Sequence, residues 1–312
     1  MKIGFLGTPE LAKQVLQVLL LEKDFEVAFV VTNPDKPVGR KKILTPTPVK
    51  VLAEKYNIPV YTPLRIRGNE EIYQTLQSYE CDYFVVVAYG KILPADFLEI
   101  PKKICINVHG SILPKYRGAS PIQSALLHGE KETGVTIMQM SAGMDEGDIL
   151  SIEKIKVDTK ETTSTLFNKF GEVSPKSLIK TIKNFDTGEI SPISQDDSKA
   201  TYCTKITKQD GEIDWNLSAR EIYQRWQAYT PWPGIYSFFE EKKLALETVS
   251  FDENHDKSGQ SGTVIQNEKG VGVLCGEGIL YIDTVKLAGK KSQDINEFIR
   301  GHKNFIGYIF NS

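Results

Sequence analysis

The stretch Lys103-Ile104-Cys105-Ile106-Asn107-Val108-His109-Gly110-Ser111-Ile112-Leu113-Pro114 carries an apolar strand into a turn bounded by Gly and Pro. Alternate residues of a strand share a face, so Asn107 and His109 point into one small space, and Gly110 leaves room beside them. An amide donor next to an imidazole suits acyl transfer, because the amide can hold a developing oxyanion while the ring moves a proton. On these residues alone the competing reading is a pair of turn formers, or hydrogen-bonded surface groups, at a strand end.

Upstream of this stretch strands and helices alternate. Residues 2–6, 25–32, 60–61 and 83–88 read as strands, the last an apolar run of the kind buried on both faces. Residues 11–19, 49–56 and 69–79 carry helical periodicity, with Leu11, Val15, Val18 and Leu19 as the stripe of the first. Thr8 is expected to cap that helix, with Pro9 at its first position. The alternation predicts an α/β fold, a doubly wound and mostly parallel sheet of Rossmann-like type. Ligands of such sheets bind at the carboxyl ends of the strands, where Gly7-Thr8-Pro9, Tyr89-Gly90 and His109-Gly110 fall. Gly4-x-x-Gly7 is not a dinucleotide fingerprint, since the full Gly-x-Gly-x-x-Gly is absent and Pro9 occupies the turn.

Downstream, 120–128 reads as a helix facing the site. Residues 134–148 read as a strand followed by a Gly-rich loop carrying Asp145, 148–157 as a strand, and 164–184 as a helix that Pro175 kinks or breaks. From 188 to 198 the composition turns to Gly, Pro, Ser and Asp without periodicity, which reads as a linker. The expected division is a catalytic domain over 1–188, a linker over 189–206 and a second domain over 207–312. In that domain Ser218-Ala219-Arg220-Glu221 is a capping box, and Ile222 and Trp226 share the buried face of its helix. Five short strands, 234–240, 242–250, 262–267, 270–275 and 278–288, suggest a small barrel.

At 312 residues the chain has length for two cores, and 40% hydrophobic and 25% charged residues are those of an ordinary soluble protein. No apolar run is long enough to span a bilayer, and Pro9-Glu10 interrupts the start as a signal peptide, so a cytoplasmic location is expected. Cysteines 81, 105, 203 and 275 have no metal-knuckle spacing and read as reduced and structural; the four histidines show no ligand spacing, so no metal is expected. A net charge of −2 argues against broad nucleic-acid binding. Residues 36–50 nevertheless hold Lys36, Arg40, Lys41, Lys42 and Lys50 without an acid, stiffened by Pro37, Pro46 and Pro48. Such a loop is either a solvated surface or a nucleic-acid contact. Residues 208–312 hold 12 Lys and Arg against 15 Asp and Glu, which works against a nucleic-acid role unless a local patch forms, for example from Lys286, Lys290, Lys291, Arg300 and Lys303.

Asn107-x-His109, then Ser111-Ile112-Leu113-Pro114, then Asp145 in a distant loop resemble the formyltransferases that use 10-formyltetrahydrofolate. Their pattern is Asn-x-His, Ser-Leu-Leu-Pro and a loop Asp; Ile112 for Leu is the one departure in the Ser-to-Pro loop and conserves volume. Gly7-Thr8-Pro9-Glu10, the stretches 34–40 and 46–50, and Tyr229-Thr230-Pro231-Trp232-Pro233-Gly234 are similar to the branch that acts on methionyl-tRNA. The resemblance runs from Met1 to about Asn304. It implies a Rossmann-like formyltransferase domain and a C-terminal OB-like barrel that contacts tRNA. It also implies 10-formyltetrahydrofolate as co-substrate, without a metal, and initiator methionyl-tRNA as the partner of a monomeric enzyme. The formyl group would pass to the methionyl α-amine.

By the same resemblance Asn107, His109 and Asp145 are catalytic, although on residues alone Asp145 reads first as a turn aspartate in the Met144-Asp145-Glu146-Gly147 corner. Ser111, Ile112, Leu113 and Pro114, with Val87, Ala88, Tyr89 and Gly90, would hold the folate, and the 142–144 loop would help enclose it. Lys36, Arg40, Lys41 and Lys42 would contact tRNA. Arg117 would reach the methionyl or tRNA end, or make a surface salt bridge. The alternatives are a formyltransferase for an amino sugar nucleotide, a folate hydrolase or dehydrogenase sharing only the first domain, and a non-catalytic RNA-binding protein.

Overall fold

The computed structural model describes residues 1–39, 41–253 and 259–311. The chain divides into two compact units. The first comprises Met1–Pro121, Glu132–Lys156 and Phe167–Cys203; the second comprises Ile122–Lys131, Val157–Leu166 and Thr204–Ser312.

The strands of the first unit are β1 (Lys2–Gly7), β2 (Glu26–Val31), β3 (Lys36–Val38), β4 (Ile43–Thr45), β5 (Val60–Tyr61), β6 (Tyr83–Val87), β7 (Ile104–His109), β8 (Arg117–Gly118), β9 (Glu132–Gln139), β10 (Ile149–Lys156) and β11 (Tyr202–Cys203). Seven of them form one sheet in the order β10-β9-β7-β6-β1-β2-β5. Pairing is parallel from β5 to β7 and antiparallel where β9 meets β7 and β10. All of β6 is buried, as its unbroken Tyr-Phe-Val-Val-Val run requires. The chain order reverses between β1 and β6, so a crevice is expected at their carboxyl ends. The register Val86↔Asn107 sets the end of β7 beside the turn that follows β6.

The helices before residue 190 are α1 (Glu10–Leu19), α2 (Pro48–Lys55), α3 (Glu70–Gln77), α4 (Ala95–Leu98), α5 (Pro121–Leu127) and α6 (Thr163–Asp186); α5 after Pro121 and the first turn of α6 fall in the second unit. The buried stripe of α1 is Ala12, Val15, Leu16 and Leu19, rotated from the expected one. Thr47 and Asn69 cap α2 and α3 through their side-chain oxygens. Thr8 does not cap α1. Pro9 is the N-cap, and the Thr8 hydroxyl accepts from Asn33 Nδ2 at 2.9 Å. Asn33 Nδ2 also donates to the Tyr89 carbonyl at 3.0 Å, so these polar groups join the ends of β1, β2 and β6 instead. Pro175 lies inside α6, which is one continuous helix on both sides of it.

Gly4 serves packing rather than phosphate binding, because a Cβ there would lie 2.2 Å from Phe29 Cζ. Gly4→Ala is therefore expected to destabilise the protein by about 1–3 kcal/mol through overpacking, read as a lowered denaturant midpoint. An unchanged midpoint would mean that the Phe29 ring can move aside.

Residues 189–206, expected as a linker, are largely tied to the first unit. Ile193 bridges Ile149, and β11 pairs in parallel with β8 through Tyr202↔Arg117 and Cys203↔Gly118. Isolated bridges and side-chain bonds leave no periodicity in sequence, which is why the segment reads as a linker.

The second unit carries β12 (Ile235–Phe239), β13 (Lys242–Asp252), β14 (Val264–Asn267), β15 (Gly270–Leu274), β16 (Ile279–Leu287) and β17 (Gln293–Asp294), with α7 (Ala219–Tyr229) and α8 (Ile295–Gly301). Its antiparallel sheet has the order β12-β13-β16-β15-β14, with β17 on β16. Register shifts around Thr248 bend β13. The C-terminal tail covers the edge of β14, where Val264 N donates to the Tyr308 carbonyl at 2.8 Å. The Ser218–Glu221 capping box forms at the start of α7. Ile222 is buried beneath that helix, and half-buried Trp226 donates to the Glu247 carbonyl at 2.9 Å. Lys286, Lys290, Lys291, Arg300 and Lys303 are all exposed, with Lys286 Nζ 3.9 Å from Glu247.

Candidate active site

Asn107 and His109, two residues apart on β7, meet Asp145 from the loop between β9 and β10. Asn107 Nδ2 donates to Asp145 Oδ1 at 3.3 Å, and His109 Nδ1 lies 3.6 Å from the same oxygen. The Tyr116 carbonyl accepts from His109 Nε2 at 2.9 Å, so that nitrogen carries a hydrogen and Nδ1 is the ring atom facing Asp145. The second carboxylate oxygen, Oδ2, accepts from Gly118 N at 2.9 Å. His109 is only 5% exposed and Asp145 18%, a setting in which charge interactions are weakly screened. The three residues singled out in sequence thus form one cluster.

The supports of the cluster come from distant parts of the chain. Asp145 has φ +54°, a left-handed conformation that costs a non-glycine residue roughly 1 kcal/mol or more. Gln195 Nε2 donates to the carbonyls of Asp145 and Gly147, at 2.8 and 2.7 Å. Its Oε1 accepts from Arg117 Nε at 3.0 Å and from a terminal guanidinium nitrogen, Nη2, at 2.9 Å. Gly147 must lack a side chain, since a Cβ would lie 1.9 Å from the Gln139 carbonyl oxygen. Gly118 must as well: it has φ +117°, and a Cβ would lie 2.2 Å from the Cys203 oxygen.

Arg117 is 1% exposed and turned inward, with Nη2 also 2.6 Å from Asp197. Burial by itself would lower its pKa, but the bonds to Asp197 and Tyr202 outweigh this and leave it raised. Its burial speaks against a direct tRNA contact; the salt bridge is made instead, to Asp197, whose side chain is 81% exposed, and the guanidinium also lies over the Tyr202 ring of β11. Gln195, Thr201, Tyr116 and Thr136 escaped sequence reasoning. They sit at irregular positions, and no local pattern links them to Asn107 or His109.

The expected folate residues divide by exposure. Val87, Tyr89, Ser111 and Leu113 are buried, main chain included. Ala88 (φ +46°) and Gly90 (φ +76°) are exposed, while Ile112 and Pro114 are half-buried. Burial pushes the Tyr89 hydroxyl up to about 12, and among the described residues it has no hydrogen-bond partner in its apolar surroundings. Thr136 pins the 111–114 turn: its hydroxyl donates to the Ser111 carbonyl at 2.6 Å and accepts from Leu113 N at 3.2 Å. Ala142, Gly143 and Met144 are exposed beside Asp145.

The basic stretch forms a hairpin, β3 against β4, with Lys36, Lys41 and Lys42 exposed beside the exposed apolar residues Val38, Ile43 and Leu44. Lys50 is not part of this surface, because its Nζ is held by Asp35 at 2.9 Å. Arg40 lies outside the described residues.

A mostly parallel sheet in which β7, flanked by β6 and β9, ends in an Asn–His pair backed by a loop carboxylate has groups suited to acyl transfer. Comparison with known proteins narrows the class. Residues 1–182 match the formyl transferase family model, and residues 205–303 match that of the formyl transferase C-terminal domain. The methionyl-tRNA formyltransferase of Caldicellulosiruptor saccharolyticus is 44% identical over 305 residues, covering 97% of this chain and 97% of that protein. Two solved structures share the fold. An N-formyltransferase from Helicobacter canadensis, in complex with folinic acid and dTDP-3-aminofucose, has TM-score 0.65 and 18% identity, over 90% of this chain and 99% of that one. The methionyl-tRNA formyltransferase from Clostridium thermocellum has TM-score 0.57 and 17% identity, over 82% and 95%. The chain belongs to the formyl transferase family and, within it, to the methionyl-tRNA formyltransferases.

Proposed function

We propose that the protein transfers the formyl group of 10-formyltetrahydrofolate to the α-amine of methionyl initiator tRNA. The observation that carries this reading is the convergence of Asn107 Nδ2 and His109 Nδ1 on one Asp145 oxygen, in a chain so similar to a methionyl-tRNA formyltransferase. The methionyl α-amine is a competent nucleophile near neutral pH, since a free α-amino group has a pKa of about 8 and a neighbouring ester lowers it. Positioning and charge stabilisation are therefore the main tasks of the site.

Asn107 donates to the oxygen of the formyl group as its carbon becomes tetrahedral. The proton lost by the amine passes to the His109–Asp145 pair, with Nδ1 as the receiving atom and the carboxylate stabilising the charged ring; the pair then returns a proton to N10 of the folate as the bond from N10 to the formyl carbon breaks and tetrahydrofolate leaves. The exposed backbone at Ala88 and Gly90, the 111–114 turn and the 142–144 loop suit a flat heterocycle with several donors and acceptors. Such a ring can be read by the accessible peptide groups of Ala88, Gly90, Ile112 and Pro114, while the buried Val87, Tyr89, Ser111 and Leu113 hold those groups in place. By this reading the protein acts in the cytoplasm; among the described residues no helix is long and apolar enough to cross a membrane.

Formyl transfer to charged initiator tRNA, measured beside an amino sugar nucleotide, tests the reading. Transfer to the sugar and none to the tRNA would replace it with the amino-sugar alternative. The likeness to the Helicobacter structure, at 18% identity, speaks for the fold alone and does not favour that alternative.

The β3–β4 hairpin is proposed as a tRNA-binding surface, with Arg40 retained from the sequence reading alongside Lys36, Lys41 and Lys42. Changing the three lysines together to alanine is expected to raise KM for tRNA about tenfold or more near physiological salt. The slope of log KM against log salt should fall by up to roughly 0.7–0.9 for each phosphate that the lysines no longer neutralise, and folate affinity should be unchanged. Equal salt slopes in the variant and the unaltered protein would leave the hairpin a solvated surface.

A further inference from the structure

The segment 193–203 lies between the two family-model matches, which end at residue 182 and resume at 205. It nevertheless touches the supports of both His109 and Asp145. Gln195 satisfies all four of its hydrogen-bonding positions: two Nε2 hydrogens on the Asp145 and Gly147 carbonyls, and two Oε1 lone pairs on Arg117. This fixes the orientation of the amide, since neither the carbonyls nor the guanidinium could face the opposite end. It also spans the turn in which Asp145 adopts its left-handed backbone. Six residues on, the Thr201 hydroxyl accepts from Tyr116 N at 2.8 Å, and the Tyr116 carbonyl receives His109 Nε2. Tyr116 itself has φ +60°, so its carbonyl direction is held by its surroundings rather than by local preference.

We propose that this strap is a working part of the catalytic centre, with Gln195 and Thr201 as positioning residues that set Asp145 and His109 for formyl transfer. Gln195 acts on the backbone of the Asp145 turn and thereby fixes where its carboxylate sits beside Asn107 and His109. Thr201 acts through Tyr116 on the His109 ring, keeping Nδ1 toward the reacting groups. Neither touches substrate. Because they act on geometry alone, their loss should appear in kcat while the binding of each substrate is kept. A displacement of about 1 Å in a catalytic group is enough to cost on the order of 10²-fold. The inference rests on the methionyl-tRNA formyl transfer reading above.

Gln195→Glu separates positioning from mere support of Arg117. The carboxylate keeps both bonds to the guanidinium and strengthens them, but it has no hydrogen for the Asp145 and Gly147 carbonyls. With the full-length protein, 10-formyltetrahydrofolate and methionyl-tRNA, Gln195→Glu is expected to fold, with a melting point lowered by the two lost hydrogen bonds. Its kcat should fall about 10- to 10²-fold, with both KM values within about twofold. Should that variant fail to fold, Thr201→Val and Thr201→Ser decide: the first is expected to lose about tenfold in kcat, and the second, which keeps the hydroxyl, to recover it. Unaltered kcat in Gln195→Glu, or in Thr201→Val where Gln195→Glu does not fold, overturns the inference while leaving the functional reading intact. Absence of transfer by the unaltered protein overturns both.

Discussion

Replacing Asp145 with alanine is expected to lower kcat for formyl transfer by about 10³–10⁴-fold, the range seen when the carboxylate partner of a catalytic histidine is lost. Asp145 Oδ1 is the shared neighbour of Asn107 Nδ2 and His109 Nδ1, and Oδ2 is held by Gly118 N. Removing it leaves the imidazole without the charge that stabilises its protonated form. His109→Ala should be as severe. In the double variant the two losses should not multiply, because the residues act as a unit. Stopped assays of formyl-methionyl-tRNA formed by the two single variants and the double one, at saturating substrates, measure this. A double-variant loss equal to the product of the singles would mean independent roles and would sink the proton-accepting pair.

Asn107→Ala is expected to cost about 10²–10³-fold in kcat with little change in KM, the usual loss for one oxyanion donor. The reason is electrostatic: the amide dipole is fixed in place, at the end of a strand paired on both sides, before charge develops. Asn107→Asp should be worse than alanine, since a carboxylate there would face both Asp145 and the developing oxyanion. Folding of each variant is checked by its thermal midpoint. Near-normal kcat in folded Asn107→Ala would move the oxyanion role to a backbone N–H of the neighbouring turns.

Both predictions depend on residues that were legible before the structure, and the strap does not. Asn107 and His109 could be paired on paper because strand geometry has a fixed period and two residues is one repeat. Strands β1, β2, β5, β6 and β7 were readable for the same reason, since apolar strands alternate with helical stripes; the β3–β4 hairpin was not. Thr8 shows where local rules lose: its hydroxyl is a good cap by type, but Asn33 and the Tyr89 carbonyl compete for it through the sheet. Arg117 shows the same at the site. An arginine beside Gly118 reads as surface charge until the fold buries it and places Asp197 and Gln195 against it.

By itself the sequence determined the alternation of elements, the mostly parallel sheet, the antiparallel second unit, and the Asn–His pair with its candidate carboxylate. Those features follow from short-range periodicity and from the chemistry of residue types, which need no knowledge of the rest of the chain. Only the tertiary structure decided that Asp145 lies within reach of both partners, that Lys50 is taken out of the basic surface by Asp35, and that an apparent linker braces the site. Each of these depends on bonds between residues 15 to 85 positions apart. Bonds of that span leave no periodic trace, because a hydrogen bond constrains where two groups meet in space and not how far apart they stand along the chain.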